Sequence, residues 1–266
     1  MPPMNIVLVP GLFGFGKVGP IEYFNGVAQY LRDTFPGAHV EATTTDPLGK
    51  VADRAEVLAK QIVDRFGAAG DVHLIAHSMG GLDARFLASN NLENLRARLK
   101  TIATIGTPHS GSPVATVLEA VNPLDSLAQL LRLDTTFLAE LRDKADAVRD
   151  LSSQGAAALN RQCPDVQHIR YLEVAGVGRA GTFHTAKLFA PTFLFVHAVA
   201  GSNDGVVPVT SAQRQRLLFA SWPADHADLI GHDLDGPTPF SSSRFNHFPV
   251  YEDIVQRGIL GEIGGK

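Results

Sequence analysis

Ser78 stands at an abrupt change of pattern, inside the segment 72–81 that reads Val-His-Leu-Ile-Ala-His-Ser-Met-Gly-Gly. An apolar, β-prone segment ends there in a turn of small residues, and a helical pattern begins at Leu82. These features predict a nucleophile elbow, a sharp strand-to-helix turn that presents a serine hydroxyl above a sheet. Gly80 leaves room for such a strained turn, and Ala76 stands where glycine is more usual. The alternative is a serine that only caps a helix after a buried strand.

A candidate acid follows the serine along the chain. A serine hydroxyl becomes a nucleophile when a histidine accepts its proton, and an acid must orient that histidine. In enzymes built around such an elbow, the acid and then the histidine come later in the sequence. Asp204 meets this order, because it lies in the Gly-rich turn 201–208 after the apolar segment Phe193–Ala200, which we predict to be a buried strand. A simple turn aspartate is the alternative, since Asn-Asp-Gly is strong turn chemistry.

Three of the ten histidines follow Asp204 and are candidates for the base. His226 lies in the loop 222–228 after a predicted strand, which suits a general base, and we assign the role to it. His232 is the substitute, and His247 better fits the start of a closing helix. His109 follows another strand end and is assigned to line the site. Packing or loop contacts are assigned to His39, His73, His77 and His197.

Two backbone N–H groups are predicted to hold the oxyanion of an acyl-transfer intermediate, which needs donors aimed at the developing charge. Met79 directly follows the serine and supplies the first donor, at the positive end of the next helix. The loop 9–14 after the first strand supplies the second. There Gly11 lets the backbone approach closely and Leu12 donates. A glycine-rich turn without a role is the alternative.

The order of elements predicts an α/β fold with a mostly parallel sheet flanked by helices, because strands alternate with helices. Without a repeat, low-complexity tract or linker, residues 1–266 are interpreted as one domain. The predicted strands are 5–9, 39–44, 72–76, 101–105, 171–177, 193–200 and 217–221. The predicted helices are 21–31, 51–66, 82–88 and 250–260.

Residues 111–161 break the alternation, since they show helical patterns and no strand. Insertions of this size commonly act as lids or binding caps, and extra helices packed on the core are the alternative. The insertion carries an apolar stripe that we expect to shield an acyl chain. The residues assigned to substrate contact are Phe13, His109, Leu127, Leu131 and Val206.

Composition excludes several functional classes. The formal net charge is −4 and no basic run occurs, so no nucleic-acid partner is expected. No segment approaches the ~20 apolar residues that span a bilayer. The start of the chain shows no secretory signal, so a cytoplasmic location or export without an amino-terminal signal is expected. The one cysteine, Cys163, cannot form an internal disulfide and is interpreted as a structural or surface thiol.

Taken together, these motifs resemble bacterial triacylglycerol lipases of the α/β-hydrolase superfamily, near the true-lipase group with Pseudomonas, Burkholderia and Proteus enzymes. The resemblance runs from Ile6 to about Tyr251. It implies Ser78 as nucleophile, Asp204 as acid, His226 as base, Leu12 and Met79 as oxyanion donors, and a mobile helical lid. It is strongest in four blocks, 9–15, 72–87 with 104–112, 203–211 and 225–231.

The chain departs from the family pattern at three places. Pro10 replaces the usual histidine of the oxyanion loop, and Ala76 replaces a glycine of the elbow. The family often holds a calcium ion that braces the histidine loop, and Asp228 matches one carboxylate ligand. No aspartate occurs in 179–199, where the second carboxylate should stand, so Asp228 ordering its loop by hydrogen bonds is the alternative.

The sequence therefore predicts a serine carboxylic-ester hydrolase that requires no cofactor. A lipase acting on acylglycerols at a lipid–water interface is the leading interpretation. The alternatives are an esterase for short soluble esters or an acyltransferase with the same triad. A non-catalytic lipid-binding relative and a cofactor-independent peroxidase are further alternatives.

Overall fold

Six parallel strands form the central sheet of the computed structural model, which describes residues 4–12, 17–18, 21–120, 146–182, 184–214, 218–236 and 241–261. The described residues form ten strands in all, namely β1 (Met4–Val9), β2 (Lys17–Val18), β3 (Ile21–Glu22), β4 (Ala38–Ala42), β5 (Val72–His77), β6 (Leu99–Ile105), β7 (Arg170–Gly176), β8 (Ala220–Trp222), β9 (His232–Asp233) and β10 (Ser241–Ser242). The sheet has the order β4-β1-β5-β6-β7-β8, and two small antiparallel pairs, β2–β3 and β9–β10, lie outside it.

Helices connect these strands. They are α1 (Val27–Thr34), α2 (Val51–Phe66), α3 (Gly80–Asn90), α4 (Pro113–Ala120), α5 (Asp146–Leu151), α6 (Ser153–Gln162), α7 (Ala190–Ala200), α8 (Val209–Ala212) and α9 (Phe248–Asp253), which continues as a π-helical turn over Ile254–Ile259. Within the described part of the chain, none of them has the length and apolarity to cross a membrane. The predicted α/β fold is confirmed, and helix α2 has the predicted bounds.

Both faces of the sheet are covered, which explains why its central strands read as continuous apolar runs. Side chains alternate along each strand. Leu8 and Ile75 pack on the side of α1 and α9, whereas Val7 and Leu74 pack on the side of α2 and α3. The resulting core holds the strands rigidly, so the loops at their carboxyl ends are well placed for chemistry.

Strand order and register bring two loops of the predicted site together. The chain runs from β1 to the edge strand β4 and then returns to β5 on the other side of β1. A switch of this kind opens a crevice at the carboxyl ends of the strands. Val9 of β1 pairs with Ala76 of β5, so the loop after Val9 lies directly beside the elbow after His77.

The predicted strand Phe193–Ala200 is wrong, because this segment lies inside helix α7. A short apolar run is ambiguous between a strand buried on both faces and a helix. Pro191 starts the helix in its first turn, a position that proline favours. Phe193 and Val196, three residues apart, face inward, while the other large apolar side chains are exposed.

Two other predicted elements need correction. The predicted helix 21–31 divides into the short strand β3 and helix α1, which begins at Val27 after Gly26 adopts a left-handed conformation. The predicted strand 217–221 is shifted to β8 at 220–222. In the insertion, 113–120 and 146–162 are helical as predicted, and residues 121–145 lie outside the described chain.

Truncation on helix α2 tests how the core depends on its buried face. Leu58 is fully buried, and the neighbouring Val57 is 41% exposed. Leu58→Ala is expected to lower the free energy of unfolding by about 2–5 kcal/mol, because it removes buried methyl groups and leaves a cavity. Val57→Ala, the control, should stay within about 0.5 kcal/mol of the unaltered protein. Urea unfolding followed by circular dichroism measures both, and equal losses would contradict the assignment of the face.

Candidate active site

Ser78 lies in a strained turn between β5 and α3, as the elbow motif predicts. Its φ angle is 54°, in the left-handed region that side chains rarely adopt. Neighbouring backbone passes so close that glycines are required. A Cβ atom on Gly80 would lie 2.5 Å from the carbonyl oxygen of Val9, and one on Gly11 would lie 2.7 Å from the Ser78 Cβ. The turn therefore holds the serine hydroxyl at a fixed point above the sheet.

The structure brings together the three residues that the sequence nominated. His226 Nε2 lies 2.9 Å from Ser78 Oγ, and His226 Nδ1 lies 2.7 Å from Asp204 Oδ2. The histidine can thus accept the serine proton at one nitrogen while the carboxylate holds the other. This geometry is that of a serine–histidine–acid relay.

Backbone hydrogen bonds orient Asp204, which is 1% exposed. Its Oδ1 accepts from the N–H groups of Val206 (3.0 Å) and Val207 (2.7 Å), so Oδ2 is left for His226. Although helix α7 precedes it, Asp204 still lies at the carboxyl end of β7. A Cβ on Gly176 at that end would be only 2.8 Å from the Asp204 Cβ.

Arg54 holds the oxyanion loop from below. Its Nη2 donates to the carbonyl oxygens of Pro10 (2.9 Å) and Gly11 (3.0 Å). In a trans peptide the C=O and N–H point in opposite directions. Because the Gly11 carbonyl points to Arg54, the Leu12 N–H of the same peptide points away from it. Met79 caps α3, so its N–H belongs to the first turn, where N–H groups lack intrahelical partners.

A buried ion pair holds Arg54 in turn. Asp83 of α3 lies 2.8 Å from Arg54 Nη2, and both side chains are fully buried. Burial raises the pKa of Asp83 to about 6, although Arg54 favours its ionised form. This pair was not predicted from the sequence. A charged residue on the apolar face of α2, where Arg54 stands between Val51 and Leu58, is the feature that could have indicated it.

Hydrogen bonds brace the loop that carries His226. Asp225 Oδ1 accepts from the N–H groups of Ala227 and Asp228, both at 2.9 Å, and its Oδ2 accepts from that of Ala186 at 2.7 Å. Asp228 Oδ1 accepts from the Ser243 hydroxyl. Burial, with a contribution from the neighbouring Asp228, raises the pKa of Asp225 to about 7.

This donor set does not fit a calcium ion. Calcium takes six to eight oxygen ligands, whereas Asp228 Oδ2 is the one oxygen of the Asp225–Asp228 pair without a hydrogen-bond partner. Across the described ranges, no group of three or more histidine, cysteine, aspartate or glutamate side chains could hold a metal. Asp228 makes a hydrogen bond in this loop with the Ser243 hydroxyl, as the alternative reading of the sequence expects.

The other predicted site residues fall into four groups. His109 is fully buried, and its ring nitrogens contact Arg85 and Thr104, so it has no free nitrogen for substrate. Val206 borders the acid by its backbone N–H. The base candidates His232 and His247 bind backbone carbonyls away from Ser78. Three predicted contact residues lie outside the described chain, namely Phe13, Leu127 and Leu131.

Known proteins resemble most of this chain. A family model for a PGAP1-like alpha/beta domain matches residues 49–176. The triacylglycerol lipase of Pseudomonas fragi is 27% identical over 287 residues, covering 95% of this chain and 94% of that protein. Triacylglycerol lipase 2 of Saccharomyces cerevisiae is 36% identical over 216 residues, covering 79% of this chain and 62% of that protein. The mature Bacillus licheniformis lipase BlEst2 has the same fold, with a TM-score of 0.69, 24% identity and coverage of 96% and 91%. The chain has the α/β-hydrolase fold.

The chain keeps the geometry of the site although it departs at Pro10 and Ala76 from the family pattern expected from the sequence. Pro10 uses only its carbonyl oxygen, which Arg54 binds, so a histidine side chain is not needed to hold the loop. Ala76 is fully buried and lies two residues before the strained turn, where its methyl group packs in the core with Val7. The predicted resemblance and fold are confirmed.

Breaking the buried ion pair tests its place beneath the loop. Arg54→Met should lower the free energy of unfolding by about 3–5 kcal/mol, because it leaves the Asp83 carboxylate buried without its partner. The double variant Arg54→Met/Asp83→Leu should recover a large part of that loss, since no unpaired charge remains. Urea unfolding measures both variants. A double variant no more stable than the single one would contradict this explanation.

Proposed function

We propose that this protein is a serine carboxylic-ester hydrolase of the lipase type, acting on acylglycerols through an acyl-enzyme intermediate. The observation that carries the proposal is the continuous contact from Asp204 through His226 to Ser78, with 2.7 and 2.9 Å between successive polar atoms. The names of the bacterial and yeast relatives, each a triacylglycerol lipase, support ester substrates.

The residues perform the reaction in two steps. Ser78 Oγ bonds to the ester carbonyl carbon as His226 Nε2 takes its proton, and the carbonyl oxygen becomes an oxyanion bound by the N–H groups of Leu12 and Met79. The carbon–alkoxy bond then breaks, and the alcohol leaves with the proton from His226. Water next attacks the acyl carbon, giving a proton to His226, which returns it to Ser78 Oγ as the carboxylic acid departs.

Two side chains lie against the His226 ring. Asp204 is buried and lies 2.7 Å from its Nδ1, where a carboxylate stabilises the imidazolium that forms during the reaction. His77 lies against it, with ring centroids 4.5 Å apart. Burial holds the pKa of His77 well below its usual value, with His226 adding to the effect, so His77 is neutral and does not repel the imidazolium.

An exposed apolar surface supports the proposal that the substrate reaches the site from a lipid phase. Helices α4 and α7 contact each other and expose large apolar side chains, namely Val117, Leu194, Phe195 and Val199. Apolar side chains grouped on a surface mark interaction sites. The surface adjoins the acid loop, because α7 leads into it and Ser112, just before α4, donates to the Val206 carbonyl. We propose that this surface meets the lipid–water interface.

Replacement of the nucleophile tests the proposed reaction. Ser78→Ala should lower turnover of p-nitrophenyl butyrate by several orders of magnitude and abolish labelling by a fluorophosphonate probe, because the acyl-enzyme bond can no longer form. Ser110→Ala, which alters an exposed serine, serves as the control and should keep both activities. Substantial turnover by Ser78→Ala would overturn the assignment.

A profile over acyl-chain length, with and without chelator, tests substrate class and metal independence together. Rates on dispersed tributyrin and triolein are expected to exceed those on short soluble esters, because the apolar surface beside the site suits lipid. A preference for short soluble esters would instead favour an esterase. EDTA should leave every rate unchanged, since hydrogen bonds from Asp225 and Asp228 brace the histidine loop. Loss of activity with EDTA and recovery with calcium would contradict the metal-free brace.

A further inference from the structure

We infer that the Tyr23 hydroxyl is a positioning group for the oxyanion loop. The Gly11 N–H donates to Tyr23 Oη at 2.9 Å, and the same oxygen lies 2.9 Å from His77 Nδ1. One phenol thus joins the oxyanion loop to the residue that directly precedes the nucleophile. The inference rests on the proposed function and assigns this side chain a role in that same site.

The Tyr23 hydroxyl and Arg54 bind opposite edges of the same peptide. On one edge, Arg54 binds the carbonyl oxygen of Pro10. On the opposite edge, Tyr23 binds the N–H of Gly11. Without Tyr23 the Pro10–Gly11 peptide would be held on one edge only, and it could turn about the flexible backbone of Gly11. Such a turn would change how the next peptide, which Arg54 holds at the Gly11 carbonyl, presents the Leu12 N–H.

Tyr23 is itself fixed from the loop that carries the base. His232 Nε2 lies 2.8 Å from the carbonyl oxygen of Glu22 and 3.0 Å from that of Tyr23. The N–H of Asn25 donates to the carbonyl oxygen of Ile230 at 3.0 Å. The Tyr23 backbone is therefore held by the segment that follows His226, while its hydroxyl contacts the oxyanion loop and the elbow. Tyr23 thus connects all three catalytic segments.

Both partners of the contact between Tyr23 and His77 are buried, so water does not compete with it. Tyr23 is 6% exposed and His77 is 2% exposed. Burial raises the pKa of Tyr23 above its usual range and holds that of His77 well below its own. The phenol therefore keeps its proton and the imidazole stays neutral across the working pH range. The contact is a neutral hydrogen bond that does not switch with pH.

The test removes the hydroxyl alone and measures transition-state binding separately from stability. Tyr23→Phe is assayed for kcat/KM on p-nitrophenyl butyrate and for the inhibition constant of butylboronic acid, which forms a tetrahedral adduct on the nucleophile. Tyr171→Phe is the matched control, because the Tyr171 hydroxyl accepts the Val166 N–H at 3.1 Å at the opposite end of the sheet. Urea midpoints are recorded for both variants.

Tyr23→Phe should lower kcat/KM by roughly 10-fold or more, below the ~10²–10³ that follows loss of a whole oxyanion donor. The boronic acid should bind more weakly by a similar factor. Tyr171→Phe should shift the urea midpoint comparably and leave both functional constants unchanged. If the unaltered protein hydrolyses the ester but Tyr23→Phe behaves like Tyr171→Phe, the inference is overturned. An unaltered protein without turnover would instead refute the proposed function.

A second variant covers the case in which Tyr23→Phe does not fold. His77→Phe keeps an aromatic ring and removes the nitrogen that faces the hydroxyl, so the boronic acid should again bind more weakly. Where both variants fold, the double variant should lose no more activity than Tyr23→Phe alone, because both act through one hydroxyl. Fully additive losses, or unchanged boronic acid binding in His77→Phe, would overturn the inference.

Discussion

The close approach of two backbone segments, Gly11 after β1 and Ser78 after β5, is the constraint on which the site depends. Parallel pairing of Val9 with Ala76 places the segments side by side. A Cβ on Gly11 would overlap the serine, so a glycine must stand there. The same proximity lets an N–H of one segment and the hydroxyl of the other address a single substrate carbonyl. The backbone around this contact has no regular secondary structure, so other groups must hold it in place.

Buried polar groups meet that need because irregular backbone requires hydrogen-bond partners. Arg54 binds two loop carbonyls and is neutralised by Asp83. Asp225 performs the corresponding task in the histidine loop, where its carboxylate accepts three backbone N–H groups. The guanidinium of Arg54 and the carboxyl group of Asp225 each bind several peptide groups. Two side chains therefore hold much of the loop backbone in place. Hydrogen bonds thus order the loop that carries the base.

Sequence alone determined the chemistry and the order of its parts. The elbow, the acid in a Gly-rich turn and the histidine after a late strand are local signals, because each requires particular residues at adjacent positions. Ser78, Asp204 and His226 could therefore be named from short motifs. Helix α2 was predictable for a similar reason, since its apolar face repeats every three to four residues.

Only the tertiary structure decided what lies between those motifs. The segment 193–200 carries apolar residues all round, and only packing, with Phe193 and Val196 inward, makes it a helix. The exclusion of His109 from the site and the roles of Arg54 and Tyr23 depend on contacts between residues 5 to 54 positions apart in the chain. The local sequence pattern does not reveal such contacts, because a hydrogen bond between distant parts of the chain requires a particular geometry but no particular sequence spacing. Sequence named the groups that react, and the fold determined the groups that hold them in place.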